Sequence, residues 1–205
     1  MSFSTVPGGA ADVPVPLVPA EFGDAVAQLQ AARLRPEVEV SPLPAPAKLA
    51  PFSHALSAQV APSDERPESA SGRFVLLHDP NGLAAWDGTL RIVVFLSAEM
   101  EPELARDPLL PDVAWSWLTD CLEGRAAEMV ALGGTVTATS STRFGDIAGP
   151  HRNDDLEIRA SWTVAGRDVG AHLQSFGDLL AVAAGLPPEG VAAIGRSGPS
   201  NVRVP

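Results

Sequence analysis

Two apolar runs, Phe74–Leu77 and Leu90–Leu96, stand close together and share a connecting segment rich in turn chemistry. Asp79-Pro80-Asn81-Gly82 offers one reversal. Asp accepts from nearby backbone N–H groups, Pro presets φ, and Asn-Gly tolerates left-handed φ. Asp87-Gly88 offers a second, as a tight turn or as a bulge that re-aims a long strand. The pattern predicts a β-hairpin over Gly72–Glu99, and the other elements are expected to be laid against it.

Upstream, Phe22, Ala25/Val26, Leu29 and Ala32/Arg33 repeat at helical period over Ala20–Leu34. Arg33 and Arg35 suit the helix C-terminus, and Pro36 stops it. Five prolines between 36 and 51 exclude helix and central strand, which predicts an extended arm over the domain. Ala55–Val60 reads as a strand in preference to a helical turn, and 62–71 as a flexible polar loop. Downstream, Asp107-Pro108 or Pro111-Asp112 starts the longest helix. Its expected apolar face is Val113, Trp117, Cys121, Leu118, Leu122 and Met129, and Gly133-Gly134 is its expected stop. Gly124 inside it predicts close packing or a break, at about 1 kcal/mol against Ala. Trp115 lies about 160° from Trp117 on a helical wheel and should meet another element or solvent.

Thr135–Ser141 predicts a poorly buried strand. In Leu156–Val164 apolar and polar residues alternate, which predicts a half-buried antiparallel strand containing Trp162. Between them, Phe144–Asp155 reads as a loop. A final helix spans Ala171–Ala184, with Leu173, Phe176 and Leu180 inward and Gly185 followed by Pro187-Pro188 ending it. The sum is α+β: an antiparallel sheet of four to five strands with about three helices mainly on one face, in the order α-β-β-β-α-β-β-α. The domain is expected over 20–194, with disordered tails at 1–19 and 195–205.

Period-two alternation also sorts the sheet's faces. Leu90, Ile92, Val94 and Leu96 point one way and Arg91, Val93 and Phe95 the other. If the polar sides of three strands coincide, the outer face carries Arg73, Arg91, Glu157 and Arg159 around Val93 and Phe95. Such a face reads as a solvated Arg–Glu ladder, as a partner or ligand surface in which apolar residues are ringed by arginine, or as a surface hidden by the proline-rich arm. Arg73, Arg91, Phe95 and Arg159 are therefore candidate binding residues, together with His78, Asp79 and Trp86 at the hairpin loop.

Charge narrows the partners. The formal net charge is −11, which argues against nucleic acid and anionic membrane. Thirteen of the fourteen basic residues are arginine. One cysteine, Cys121, excludes an intrachain disulfide and reads as an inert core thiol. The N-terminus lacks a secretory pattern and no apolar run is long enough to span a bilayer, so the expected location is cytoplasmic. The four histidines show no metal-binding spacing. Phosphate-binding and nucleophile-elbow glycine motifs are absent, so no catalytic residue, metal or cofactor is assigned. In His78-Asp79 a carboxylate could orient an imidazole, but Asp79 is better used to start the turn.

The blocks around Leu77-His78-Asp79-Pro80, Trp115-Ser116-Trp117-Leu118 and Arg159-Ala160-Ser161-Trp162 resemble an actinobacterial family of uncharacterised proteins, a domain of unknown function, over roughly residues 20–194. The resemblance brings no activity or cofactor. Its gene neighbourhood, beside a ribonuclease D-like exonuclease, suggests an RNA-associated accessory role as a third reading. The element order is also similar, at fold level, to that of acidic type III secretion chaperones. The leading expectation is a non-catalytic protein-interaction or chaperone-like module that binds another protein or itself. The alternative is an enzyme or small-molecule binder with a pocket near His78, Asp79, Trp86 and the sheet arginines.

Overall fold

A computed structural model describes residues 17–61, 69–147, 149 and 152–189. The expected tail 1–19 lies outside these except for 17–19, the loop 62–71 except for 69–71, and the tail 195–205 entirely. The elements are α1 (Ala20–Ala31), β1 (Glu39–Leu43), β2 (Phe52–Val60), β3 (Ala70–Leu83), β4 (Gly88–Glu99), a short 3₁₀ turn (Leu104–Arg106), α2 (Leu110–Gly124), β5 (Met129–Thr142), β6 (Arg152–Val164) and α3 (Val169–Ala183). The strands form one antiparallel sheet in the order β1-β2-β3-β4-β6-β5. The class is α+β as expected, with six strands where four to five were expected. The sixth is β1, inside the proline-rich arm. Pro42 cannot donate to a ladder on both sides, but β1 is an edge strand, where only one side is paired.

The β3–β4 hairpin forms, with its two turn signals in reversed roles. Asp79–Gly82 does not reverse the chain. It makes a bulge between His78 and Leu83, with Gly82 at φ 67° and Asp79 accepting from the Asn81 N–H at 3.0 Å. The reversal lies at Leu83–Gly88, where the N–H groups of Trp86 and Asp87 both donate to the Leu83 carbonyl and Asp87 takes φ 58°.

The longest predicted helix is shorter than its pattern suggested. α2 stops at Gly124, and Gly133-Gly134 lies inside β5. The stop is a Schellman motif: Ala126 sits at φ 51°, its N–H donates to Glu123 and that of Ala127 to Leu122. The buried face is Leu110, Ala114, Leu118 and Leu122, of which Leu118 and Leu122 are as expected and Leu110 and Ala114 replace the other members. Val113 is 41 % exposed, Trp117 and Cys121 are half-buried, and Met129 belongs to β5. Trp115 does meet another element, lying against Gly134 of β5, where a Cβ would come within 2.9 Å of the indole. β6 also begins earlier than expected, taking Asn153, Asp154 and Asp155 out of the loop.

All three helices pack on one side of the sheet. Leu76, Ile92, Leu96, Leu156, Ile158 and Trp162 are buried there with Phe74 and with Phe176 of α3. At roughly 1.5–3 kcal/mol for each fully buried large side chain, this layer is the main source of stability. Gly72 lets α3 come close, because a Cβ there would overlap the Phe95 carbonyl and the Phe176 ring. α3 is buried nearly all round and starts on Asp168, which accepts from the Ala171 N–H at 3.0 Å. Gln28 of α1 accepts from the Val169 N–H at 2.8 Å, joining two helices at that terminus. No helix among the described residues is long and apolar enough to cross a membrane.

Candidate functional site

Among the described residues the opposite side of the sheet carries no helix, and the register orders it into rows. One runs Ser41–Ser57–Arg73–Phe95–Arg159–Thr135 across all six strands. The next runs Leu43–Ala55–Val75–Val93–Ser161–Gly133, and a third includes Ser53, Leu77, Arg91 and Thr163. Arg73, Phe95 and Arg159 are thus direct cross-strand neighbours. The Arg159 guanidinium lies over the Phe95 ring, 5.4 Å from its centroid, and pairs with Glu157 at 2.9 Å. Arg73 and Arg159 are exposed, while Phe95, Val75 and Val93 are half-buried. A shallow depression of about 190 Å³ beside this row is lined by Val93, Gly133, Thr135, Arg159 and Ser161, among others.

Arg91 shares the face but has a different task. Its guanidinium donates to the Ala131 carbonyl (2.9 Å), Thr163 Oγ1 (3.1 Å), the Ser161 carbonyl (3.3 Å) and Ser161 Oγ (2.7 Å). Ala131 sits at φ 52° in the β5 bulge. Thr163 Oγ1 in turn donates to the Trp86 carbonyl, tying the hairpin turn to β6. Arg91 is a staple across β4, β6 and β5, with burial pulling its pKa down from the ordinary arginine value.

The proline-rich arm closes one end of the face. Ser53 Oγ donates to the Pro46 carbonyl at 2.9 Å, and the neighbouring Leu77 and Ala55 are buried. The other end is acidic. Glu99 and Asp155 are cross-strand neighbours, and burial, then Glu99, Asp154 and Glu157, raise the Asp155 pKa above its ordinary value.

The remaining predicted residues do not join this row. His78 lies on the helix side, 1 % exposed, between Phe22 and Phe52. Its Nδ1 is 3.2 Å from the Thr89 carbonyl and 3.7 Å from Glu21. Asp79 is held in its local turn, and Trp86 is half-exposed at the reversal. The structure therefore does not bring His78 and the sheet arginines to one pocket. Cys121 is held inert: burial, then Asp178 and Asp120, push its thiol up to about 12.

Sequence reasoning missed two polar sites among the helices. Trp162 Nε1 donates to His172 Nδ1 at 3.1 Å in the core, and burial pushes the His172 pKa down to about 4. His54 borders an apolar cavity of about 230 Å³ with Leu29, Leu34, Val40, Leu56 and Leu173; its Nε2 is buried without a partner among the described residues. Burial lowers its pKa as well. Neither histidine has a sequence neighbour that announces it. Among the described residues no group of His, Cys, Asp or Glu is placed to hold a metal ion.

A family described as "Protein of unknown function (DUF3000)" matches residues 18–192. The chain belongs to this family. No curated protein and no solved structure matches it. The matched span takes in every helix and strand described above, so the helix-free face is built from DUF3000 residues throughout.

Proposed function

We propose that this DUF3000 chain is a non-catalytic, chaperone-like interaction module of the cytoplasm that docks another protein on its helix-free sheet face. One observation carries the reading: a basic row, Arg73–Phe95–Arg159, lies on an open face of a molecule whose net charge is −11. An aromatic ring flanked by arginines is the composition that interface centres favour. The apolar row beside it supplies area, and exposed Arg73 supplies a guanidinium free of ion pairs among the described residues. A partner segment that presents carboxylates beside apolar side chains fits this chemistry. RNA, with a phosphate on every nucleotide, fits less well against a chain of net charge −11 whose face ends in Glu99 and Asp155.

The test compares wild type with Arg73→Glu/Arg159→Glu in affinity capture from native lysate, followed by titration of the captured protein. Both side chains are exposed, so thermal stability should hold while affinity falls about ten-fold or more. A captured protein that binds both forms equally would overturn the reading.

A small-molecule reading finds its support away from the hairpin loop, in the cavity beside His54. An apolar ligand with one polar group could fill it and pair with the orphaned nitrogen. Native mass spectrometry of the purified chain would reveal such a ligand, and a His54→Phe variant should lose it.

A further inference from the structure

The two edges of the sheet are built differently. β1 is a five-residue edge that carries Glu39 and Pro42, both devices that discourage another strand from pairing. β5, at the other edge, is fourteen residues long and reads MVALGGTVTATSST, with no charged residue and no proline. After the bulge at Val130/Gly133 its register against β6 runs unbroken from Gly133 to Thr142. Apart from half-buried Val136, the residues of this run are exposed, including Ala138 and Ser140 on the helix side. A ten-residue edge offers its outward N–H and C=O groups in the regular spacing that an incoming strand requires.

We infer that β5 is a homodimerisation edge, and that two copies join β5 to β5 into one continuous twelve-stranded antiparallel sheet. Two-fold symmetry makes such a pairing self-complementary, since each strand presents the same groups to the other. Charge favours a second copy at this place. Two chains of net charge −11 repel over most of their surfaces, and β5 is a long strand on which neither would bring a charge. The nearest charged row belongs to β6 (Asp155, Glu157, Arg159), one strand further in. Across the joint the two β6 strands would stand about 14 Å apart, beyond the screening length at physiological salt. On the outer face Thr135, Thr137, Thr139 and Ser141 would meet their counterparts, and Thr–Thr and Thr–Ser pairs support cross-strand packing. This inference does not depend on the sheet face having a partner, although dimerisation would double that face.

Light scattering on the full chain after size exclusion tests it, with amide hydrogen exchange over a concentration series. The expected result is a mass twice the 21.3 kDa of the chain, and β5 amides that exchange more slowly as concentration rises. Thr137→Lys/Thr139→Lys places like charges across the joint from exposed positions. It should halve the mass and leave the far-UV circular dichroism of the folded chain unchanged, with a melting temperature that no longer depends on concentration; Thr137→Gln/Thr139→Gln should remain dimeric. A wild-type monomer at all concentrations would overturn the inference, as would a dimer that survives both lysines. So would β5 amides equally protected in a monomer, since the chain's own residues would then cover the edge. If the lysine variant does not fold, the exchange series on the wild type decides alone.

Discussion

Arg91 shows how a residue's task can differ from its appearance in a pattern. In the alternation of β4 it is one more outward arginine, equivalent to Arg73 and Arg159. In three dimensions the β5 bulge brings the Ala131 carbonyl within 2.9 Å of Arg91, which also holds Ser161 and Thr163. Arg91→Met should therefore destabilise the domain by roughly 1–3 kcal/mol, the net worth of hydrogen bonds made by a charged donor. Urea unfolding would show this as a lower midpoint, and an unchanged midpoint would mean that the staple is idle. Arg91→Lys should recover only part, because one ammonium cannot span three strands. The direction of the side chain was legible from period two. Its partners were not, because they lie 40 to 72 residues away.

At the scale of elements, the clearest differences from expectation are at helix ends. α3 stops where glycine announces it: Gly185 takes φ 70°, and the N–H groups of Gly185 and Leu186 close on Val182 and Ala181. α2 ends in the same hydrogen-bond pattern, but with Ala126 in the left-handed position, so the conspicuous Gly133-Gly134 drew the boundary too far. An alanine held at positive φ costs about 1 kcal/mol that glycine would not. Ala126→Gly should raise stability by roughly 0.5–1 kcal/mol, read as a higher melting temperature, and a lower one would contradict this account of the cap. The same reasoning explains β1. Five prolines correctly barred a central strand, but an edge needs only one paired side, and which strand lies at an edge is decided by the whole sheet.

For the whole molecule, the buried imidazole of His172 makes one contribution to the dependence of stability on pH. The unfolded chain takes up a proton there near pH 6.5, whereas the folded chain does so only at about pH 4, because burial penalises the cation. Its contribution is intact above pH 6.5, is lost progressively as pH falls to about 4, and stays level below that. The loss amounts to roughly 3 kcal/mol. His172→Gln keeps an acceptor for Trp162 and cannot titrate, so its melting temperature should change less across that window. Equal slopes in the two proteins would place the acid sensitivity elsewhere. The sequence by itself determined the α+β class, the hairpin, the inward sides of β4 and β6, and the presence of three helices. Each follows from periodicity, caps and turns, which act between residues close in the chain. Only the tertiary structure decided which strands became edges, which face stayed free of helices, and which polar groups met in the core. Those outcomes depend on strand order and long-range register, and no window of neighbouring residues contains them.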